Sequence, residues 1–441
     1  MNRVAIVVQR YHPELAGGSE QHAGLYARYL AEAGMAVDLI TTTARDAVNW
    51  ANEYPPGIEE HDGFRVLRFP VAGGRTADWQ ALHALLLREA TAVRSEACSA
   101  DFFGDSSPDY PPKLRWPRAL QEEWIRRQGP DSPQLVAHLA ANGDTYACVI
   151  FLTYLFAPTY FGSSKISRPS CLLVPTLHDE APAYLPAFER AARGVGGILW
   201  NTVAEEQLGR ALWGPFSEDI RHSRGGMGID IPVADPRLVD QSRELAQRVS
   251  PAEGFALYCG RISAAKGCRE MIDWFLAARS ELEGELPEQA RGDAAGSVTS
   301  FPGKLVLTGD LQMDLPKDPA IVYAGFVSEE LKFALMSAAR VFVMPSEFES
   351  LSVVTLEAMG QGTPVLGNGR SPVVQDHILQ SGAGRLYEDR AGFMAALREL
   401  CFAGSEERLA MSAGARAYVA ENYSHKRVSE RVVGAVRAMM S

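Results

Sequence analysis

The chain has 441 residues, 46% hydrophobic and 22% charged, with a formal net charge of −11. That length exceeds one ordinary core, so two or more domains are expected, and the acidic balance argues against nucleic acid as a main partner. No apolar run approaches the ~18–20 residues that span a bilayer, and Val4-Ala5-Ile6-Val7-Val8 opens a strand rather than a signal peptide.

The first half alternates strand and helix. Arg3–Gln9 reads as a strand, Ser19–Ala33 as a helix with Leu25, Tyr29 and Leu30 on one face, and Ala36–Thr41 as a second strand. Ile58–Phe69 reads as a strand pair around Asp62-Gly63. Ala77 to Leu139 reads as helical, broken at Ser106–Pro112 and at Gly129-Pro130. Strands at Ala147–Leu152, Ser170–Pro175 and Gly196–Trp200 follow, then a helix from Val203 to Leu212. A polar stretch, Asp235–Ser250, precedes a second set of strands at Ala256–Tyr258, Lys304–Leu307, Ile321–Tyr323, Val341–Met344 and Pro364–Leu366. Helices at Cys268–Glu281, Ser328–Ala339, Val353–Met359 and Ala391–Leu400 lie among them, and Val428–Met440 is a last helix. Glu283–Thr299, rich in Gly, Glu and Ala, reads as an exposed insertion. Such alternation implies two open α/β domains with parallel sheets, joined near residue 250, with a ligand cleft at their strand C-termini.

Six cysteines (Cys98, Cys148, Cys171, Cys259, Cys268, Cys401) lack short paired spacing, as expected of free thiols in a reducing, cytoplasmic setting. The histidines show no ligand spacing, so no metal site is expected.

The most informative segment follows the apolar run Val341–Met344. It places Glu349 in a loop and Glu357 on the next helix, which Ser350 or Ser352 can cap. Helix-end amides beside Glu349 suit a phosphate, and Glu357, within an otherwise apolar helix, needs a hydrogen-bonding task such as ribose hydroxyls. Gly260-Arg261 through Lys266-Gly267 sets two cations in a glycine-flanked strand-to-helix turn, where they would clamp a diphosphate. The bland alternative is two solvated surface cations. Gly17-Gly18-Ser19 opens a helix after the first strand, Ser19 being able to cap it, but its spacing fails the G-x-G-x-x-G dinucleotide pattern. His178 follows an apolar strand and would face the cleft; a structural histidine is the alternative.

These motifs resemble the retaining GT-B glycosyltransferases of glycosyltransferase family 4. The residues that carry the likeness are Gly17-Gly18-Ser19-Glu20, Thr176-Leu177-His178-Asp179, Gly260-Arg261…Lys266-Gly267, Gly325-Phe326-Val327 and the E-x7-E signature Glu349…Glu357, which runs on through Ala358 to Val365. The resemblance implies two Rossmann-like domains facing each other across a cleft, with the final helix crossing back to the first. The implied bounds are 1–248 for the acceptor domain, 249–422 for the nucleotide-sugar domain and 423–441 for the returning helix. It implies that Arg261 and Lys266 bind the diphosphate, Gly260 lies in the donor site, Glu357 holds the ribose and Val327 meets the base through its backbone. Glu349, Ser350, Leu351 and Ser352 would meet the donor sugar and phosphate, Gly17 and Gly18 would close on the donor, and His178 would line the transfer site. A nucleoside-diphosphate sugar is then the co-substrate, with no cofactor or metal. The resemblance implies a glycan or lipid-linked glycan as acceptor, in bacterial cell-surface glycan synthesis. The setting it implies is cytoplasmic, with peripheral contact at the inner membrane face.

Two departures touch the sugar site. Ser350-Leu351-Ser352 replaces the usual Gly-Phe-Gly, and Gly369-Arg370-Ser371-Pro372-Val373 replaces Gly-Gly-x-Pro-Glu. Rival readings are a sugar-nucleotide epimerase or hydrolase of the same fold, and a silent partner subunit. Trp79, Trp116 and Trp124 mark the helical region from Ala77 to Leu139 where an acceptor would bind and could stack on sugar rings, although core packing is the expected use for at least two of them.

Overall fold

The structure, a computed structural model, describes residues 2–14, 17–61, 63–99, 113–247, 254–285 and 303–441. It divides into two compact units, Met1–Met227 with Val428–Ser441, and Gly228–Arg427.

The first unit begins with β1 (Arg3–Val7), α1 (Gly18–Glu32), β2 (Ala36–Thr42) and the hairpin β3 (Gly57–His61) and β4 (Phe64–Phe69). Helices α2 (Ala77–Ser99), α3 (Arg118–Gln128) and α4 (Pro133–Asn142) precede β5 (Cys148–Leu152). Then come α5 (Ala157–Ser163), β6 (Cys171–Val174), α6 (Pro186–Gly194), β7 (Gly197–Trp200), α7 (Val203–Trp213) and β8 (Arg221–Arg224). The sheet order is β3-β4-β2-β1-β5-β6-β7-β8, parallel except for β3 against β4. Strands β1, β5, β6 and β7 are nearly pure apolar runs because helices cover both faces. Without its edge strands the order is that of a Rossmann sheet, whose switch point falls between β1 and β5. Strand β8, Arg-His-Ser-Arg, escapes sequence reading because an edge strand needs no apolar alternation.

The second unit contains α8 (Pro236–Gln247), β9 (Phe255–Cys259), α9 (Cys268–Glu285), β10 (Lys304–Thr308) and β11 (Ile321–Gly325). It continues with α10 (Glu329–Ala338), β12 (Val341–Met344), α11 (Val353–Gly360), β13 (Val365–Asn368), α12 (Pro372–Ser381) and β14 (Gly384–Tyr387). Helices α13 (Arg390–Phe402) and α14 (Ser405–Tyr423) complete it, and α15 (His425–Met439) ends the chain. The order β11-β10-β9-β12-β13-β14 is fully parallel, again Rossmann-like, with the switch point between β9 and β12.

Three outcomes bear on the expected organisation. The polar stretch Asp235–Ser250, expected at the end of the first domain, holds the helix α8, which packs on α10 and groups with the second unit. The expected boundary at 248/249 lies outside the described residues, as do Ser106–Pro112 and the expected insertion beyond Glu285. Helix α15 buries Val428, Val432, Val436 and Met439 as one stripe, and its residues from Val428 onward join the first unit. Gly197 on β7 has no side chain where Met439 packs: a Cβ there would stand 2.7 Å from its sulfur.

Candidate active site

In the second unit the loops after β9 and β12 flank the switch point, and backbone chemistry locks them together. Gly267, with φ +72°, lies where an added Cβ would stand 2.6 Å from the Pro345 carbonyl oxygen, so only glycine fits. That contact seats the turn Ala264–Lys266 against the end of β12. Lys266 Nζ then donates to Glu349 Oε1 at 2.9 Å and to Ser346 Oγ at 3.3 Å. Arg261 stands exposed on the same loop, whose shape is held by Tyr258 donating its hydroxyl to the Arg261 carbonyl at 2.8 Å. Gly260 is itself held at φ +144°, and its carbonyl oxygen would stand 2.1 Å from a Cβ on Gly309.

The helix that follows starts at an unusual cap. Ser352 is in the left-handed region at φ +56°, and its hydroxyl meets Thr355 Oγ1 at 2.8 Å. The expected side-chain cap from Ser352 is therefore not made, and no side chain caps α11. Leu351 is anchored instead from α12: His377 Nε2 lies 2.9 Å from the Leu351 carbonyl oxygen, and Nδ1 lies 2.9 Å from the Tyr418 hydroxyl. A carbonyl can only accept, so Nε2 carries the proton and Nδ1 accepts from Tyr418. Burial lowers the His377 pKa and keeps the ring neutral. Sequence reading missed this role because His377 belongs to no motif.

Glu357 sits on α11 at 12% side-chain exposure. Its Oε1 accepts from Lys332 Nζ at 2.9 Å, while its Oε2 is buried without a hydrogen-bond partner. Burial pushes the carboxyl above its ordinary range, and Lys332 opposes that shift. For Lys332, burial lowers the pKa but Glu357 and Glu329 more than offset it, so the ammonium stays charged. Lys332 is a second residue that the sequence did not reveal. It lies twenty-five positions from Glu357 and only the fold of α10 against α11 joins them. Val327 lies in the connection from β11 to α10, which Ser328 caps by accepting from the Leu331 amide. Beside it Phe326 is 80% exposed.

In the first unit, Gly17 is the N-cap of α1, and a Cβ on it would stand 1.9 Å from Glu20 Oε2. Gly18 is the helix's first residue. Ser19, expected as a cap, instead accepts from Gln9 Nε2 at 2.7 Å and donates to Glu20 at 3.1 Å, while Arg10 pairs with the buried Glu20. His178 is one-third exposed, with Nε2 3.4 Å from Glu180 Oε2. Glu180 also accepts the Tyr154 hydroxyl at 2.7 Å. The backbone before His178 is set by buried Glu205, which accepts the Leu177 amide at 2.6 Å and the Asn201 amide. Burial pushes the Glu205 carboxyl up to about 8. Trp116 and Trp124 are buried, so their use is packing, while Trp79 stacks on His83 at 4.7 Å.

The five cysteines described as free thiols are buried. Among the described residues no group of three or more His, Cys, Asp or Glu is placed to hold a metal ion, and no helix is long and apolar enough to cross a membrane.

The fold class is a pair of Rossmann-like parallel-sheet domains of the GT-B type. It is shared along the chain with sucrose-phosphate synthase from Thermosynechococcus elongatus, at a TM-score of 0.62 and 17% identity over 99% of this chain and 98% of that one. The Anabaena protein Alr3699/HepE, solved with UDP and glucose, matches at a TM-score of 0.62 and 14% identity over 99% and 100%. Residues 254–401 match the family model described as Glycosyl transferases group 1, a span that holds Arg261, Lys266, Lys332, Glu349, Glu357 and His377. A curated relative, sulfoquinovosyl transferase SQD2 from Arabidopsis thaliana, is 32% identical over 243 residues. The match covers 51% of this chain and 43% of that protein, less than half the relative's length.

Proposed function

We propose that the protein is a retaining glycosyltransferase that moves a hexose from a nucleoside diphosphate to an acceptor hydroxyl, in cell-surface glycan synthesis. The observation that carries the reading is the set of groups at the second unit's switch point. Lys266 and Glu349 are joined by a hydrogen bond across two loops that Gly267 locks, and Glu357 keeps one carboxylate oxygen unused on the next helix. A diphosphate would draw Lys266 and Arg261, and a ribose hydroxyl would give Glu357 Oε2 the donor that it lacks. The group 1 match over this unit and the sugar-transferring relative point the same way.

In the proposed reaction the bond from the anomeric carbon to the diphosphate oxygen breaks, and the leaving oxygen gains charge. Arg261, Lys266 and the amides opening α11 would stabilise it, which is the largest contribution such a site makes. The leaving phosphate would take the acceptor hydroxyl's proton as the new glycosidic bond forms on the same face. The two cations would supply the positive charge that a metal supplies elsewhere, so activity is expected to survive chelation.

A thermal-shift screen of UDP-, GDP-, ADP- and dTDP-sugars tests the donor, because a ligand that binds only the folded state raises its melting temperature. Product NMR then reads the anomeric configuration. Absence of any nucleotide-sugar shift would overturn the reading. Nucleoside diphosphate release without an acceptor, at the full rate, would replace transfer by hydrolysis or epimerisation.

A further inference from the structure

Several arginines of this acidic chain are matched with carboxylates. Arg168 pairs with Asp219, Arg210 with Glu206, Arg385 with Glu399 and Glu407, and Arg127 with Glu123. A cavity of about 370 Å³ between α3, α5 and α6 of the first unit is lined by Arg118, Arg126, Lys165 and Arg190, with Glu122 as its sole carboxylate. Four cations less one anion leave a local charge of +3, against −11 for the chain.

The single carboxylate is already committed. Glu122 Oε1 accepts Arg118 Nε at 2.7 Å and the Tyr160 hydroxyl at 3.2 Å. Among the described residues, Arg126, Lys165 and Arg190 have no carboxylate at ion-pair distance. Arg126 stacks its guanidinium 4.7 Å from the Phe161 ring centre, a contact that fixes the plane while leaving the N–H edge free to bond. Arg190 makes a long contact, 3.5 Å, to Gln121 Oε1 and shares a side-chain hydrogen bond with the Tyr160 hydroxyl.

Three like charges around one concavity repel one another, and an anion relieves that repulsion. The forked guanidinium edge matches the oxygens of a phosphate, and the cavity is at the small end of the ~300–1,000 Å³ typical of ligand sites. The cavity is also separate from the candidate active site. Helix α5 leaves the C-terminal end of β5, and α6 ends just before β7, so Ser163, Lys165 and Gly194 stand at the N-terminal edge of this sheet. His178 stands at the opposite edge, after β6.

We propose that this cavity binds a phosphate ester, carried either by a small soluble sugar phosphate or by a lipid headgroup. Titration calorimetry of the full chain with glucose 6-phosphate probes the soluble source. Co-sedimentation with phosphatidylglycerol vesicles, against phosphatidylcholine alone, probes the lipid source. The proposal expects binding in at least one arm, weakened by about tenfold or more in Arg126→Gln/Arg190→Gln, since each variant removes a charged hydrogen-bond donor. Those side chains are exposed, so the double variant should keep the wild-type melting temperature, and Lys165→Gln gives an independent second variant. Absence of binding in both arms, or wild-type affinity in both variants, would overturn it. Neither result bears on the nucleotide-sugar reading, which concerns the other unit.

Discussion

Lys332→Met isolates the physics of the Glu357 carboxylate. The ammonium and carboxylate meet at 2.9 Å with side-chain exposures of 16% and 12%. Removing the lysine leaves a nearly buried carboxylate whose second oxygen already lacks a partner. One-sided loss from a buried ion pair costs ~3–5 kcal/mol, and the remaining water contact sets the expectation at about 3 kcal/mol near neutral pH. Burial already holds the folded pKa of Glu357 above its unfolded value, so the folded state keeps the proton more tightly. Stability from this group therefore falls as pH rises from the unfolded value through the folded one. Without Lys332 the folded value climbs further and that window widens upward, with a slope of about 1.4 kcal/mol per pH unit inside it.

The assay is denaturant unfolding of wild type and variant from about pH 5 to about pH 8. The gap between the two curves should be smallest in acid, where the carboxyl is protonated, and should widen with pH. Adding Glu357→Gln to the variant should recover at least about 1 kcal/mol relative to the sum of the single changes. A gap that is flat in pH, together with additive single changes, would refute the claim that Lys332 acts through the charge of Glu357.

Further expectations concern the surrounding residues. Lys266→Ala and Glu357→Ala should each lower donor turnover by ~10²–10³, read as nucleoside diphosphate release; near-wild-type rates in both would remove the site assignment. Gly267→Ala forces a Cβ against the Pro345 carbonyl at a left-handed position, and should cost about 2 kcal/mol or more in urea unfolding and loosen nucleotide binding. His377→Phe removes the anchor of Leu351 and should cost ~1–3 kcal/mol, with donor KM rising more than kcat falls. Because burial lowers the His377 pKa, its contribution is complete above the unfolded value of 6.5 and is lost as pH falls below it. The acid limb of the variant's stability curve should therefore be shallower than that of wild type.

The elements that sequence reading recovers are those whose burial writes a pattern. Val341–Met344 and Cys148–Leu152 are continuous apolar runs because both faces of a parallel strand are covered. The elements it misses are marked by contacts remote in sequence. Helix α8 reads as polar because one face only meets α10, and β14, Gly-Arg-Leu-Tyr, is an edge strand too short to show a period. The same division runs through the candidate site. Glu349, Glu357, Arg261 and Lys266 are legible because they lie at fixed spacing beside strand ends. Lys332, His377 and Tyr418 are not, since each acts across a gap that only tertiary packing closes. Serine caps do not follow from spacing alone. Both Ser19 and Ser352 turn their hydroxyls to neighbouring side chains, an option that spacing alone does not distinguish from capping.

Pairing within the site also bears on how an acidic protein would hold the proposed doubly charged ligand. Lys266 with Glu349 and Lys332 with Glu357 are each close to neutral as pairs, so neither leaves a half-buried charge uncompensated without a ligand. A diphosphate arriving at Lys266 would compete with Glu349 for the same ammonium, which leaves Arg261, exposed and without a carboxylate at ion-pair distance among the described residues, as the cation available at no such cost. Loss of Arg261 should then slow donor association more than loss of Lys266 does, and the difference should shrink as salt screens the approach. Equal association rates in Arg261→Ala and Lys266→Ala at low salt would mean that the carboxylates do not hold back the lysine, and the division of labour between the two cations would fall.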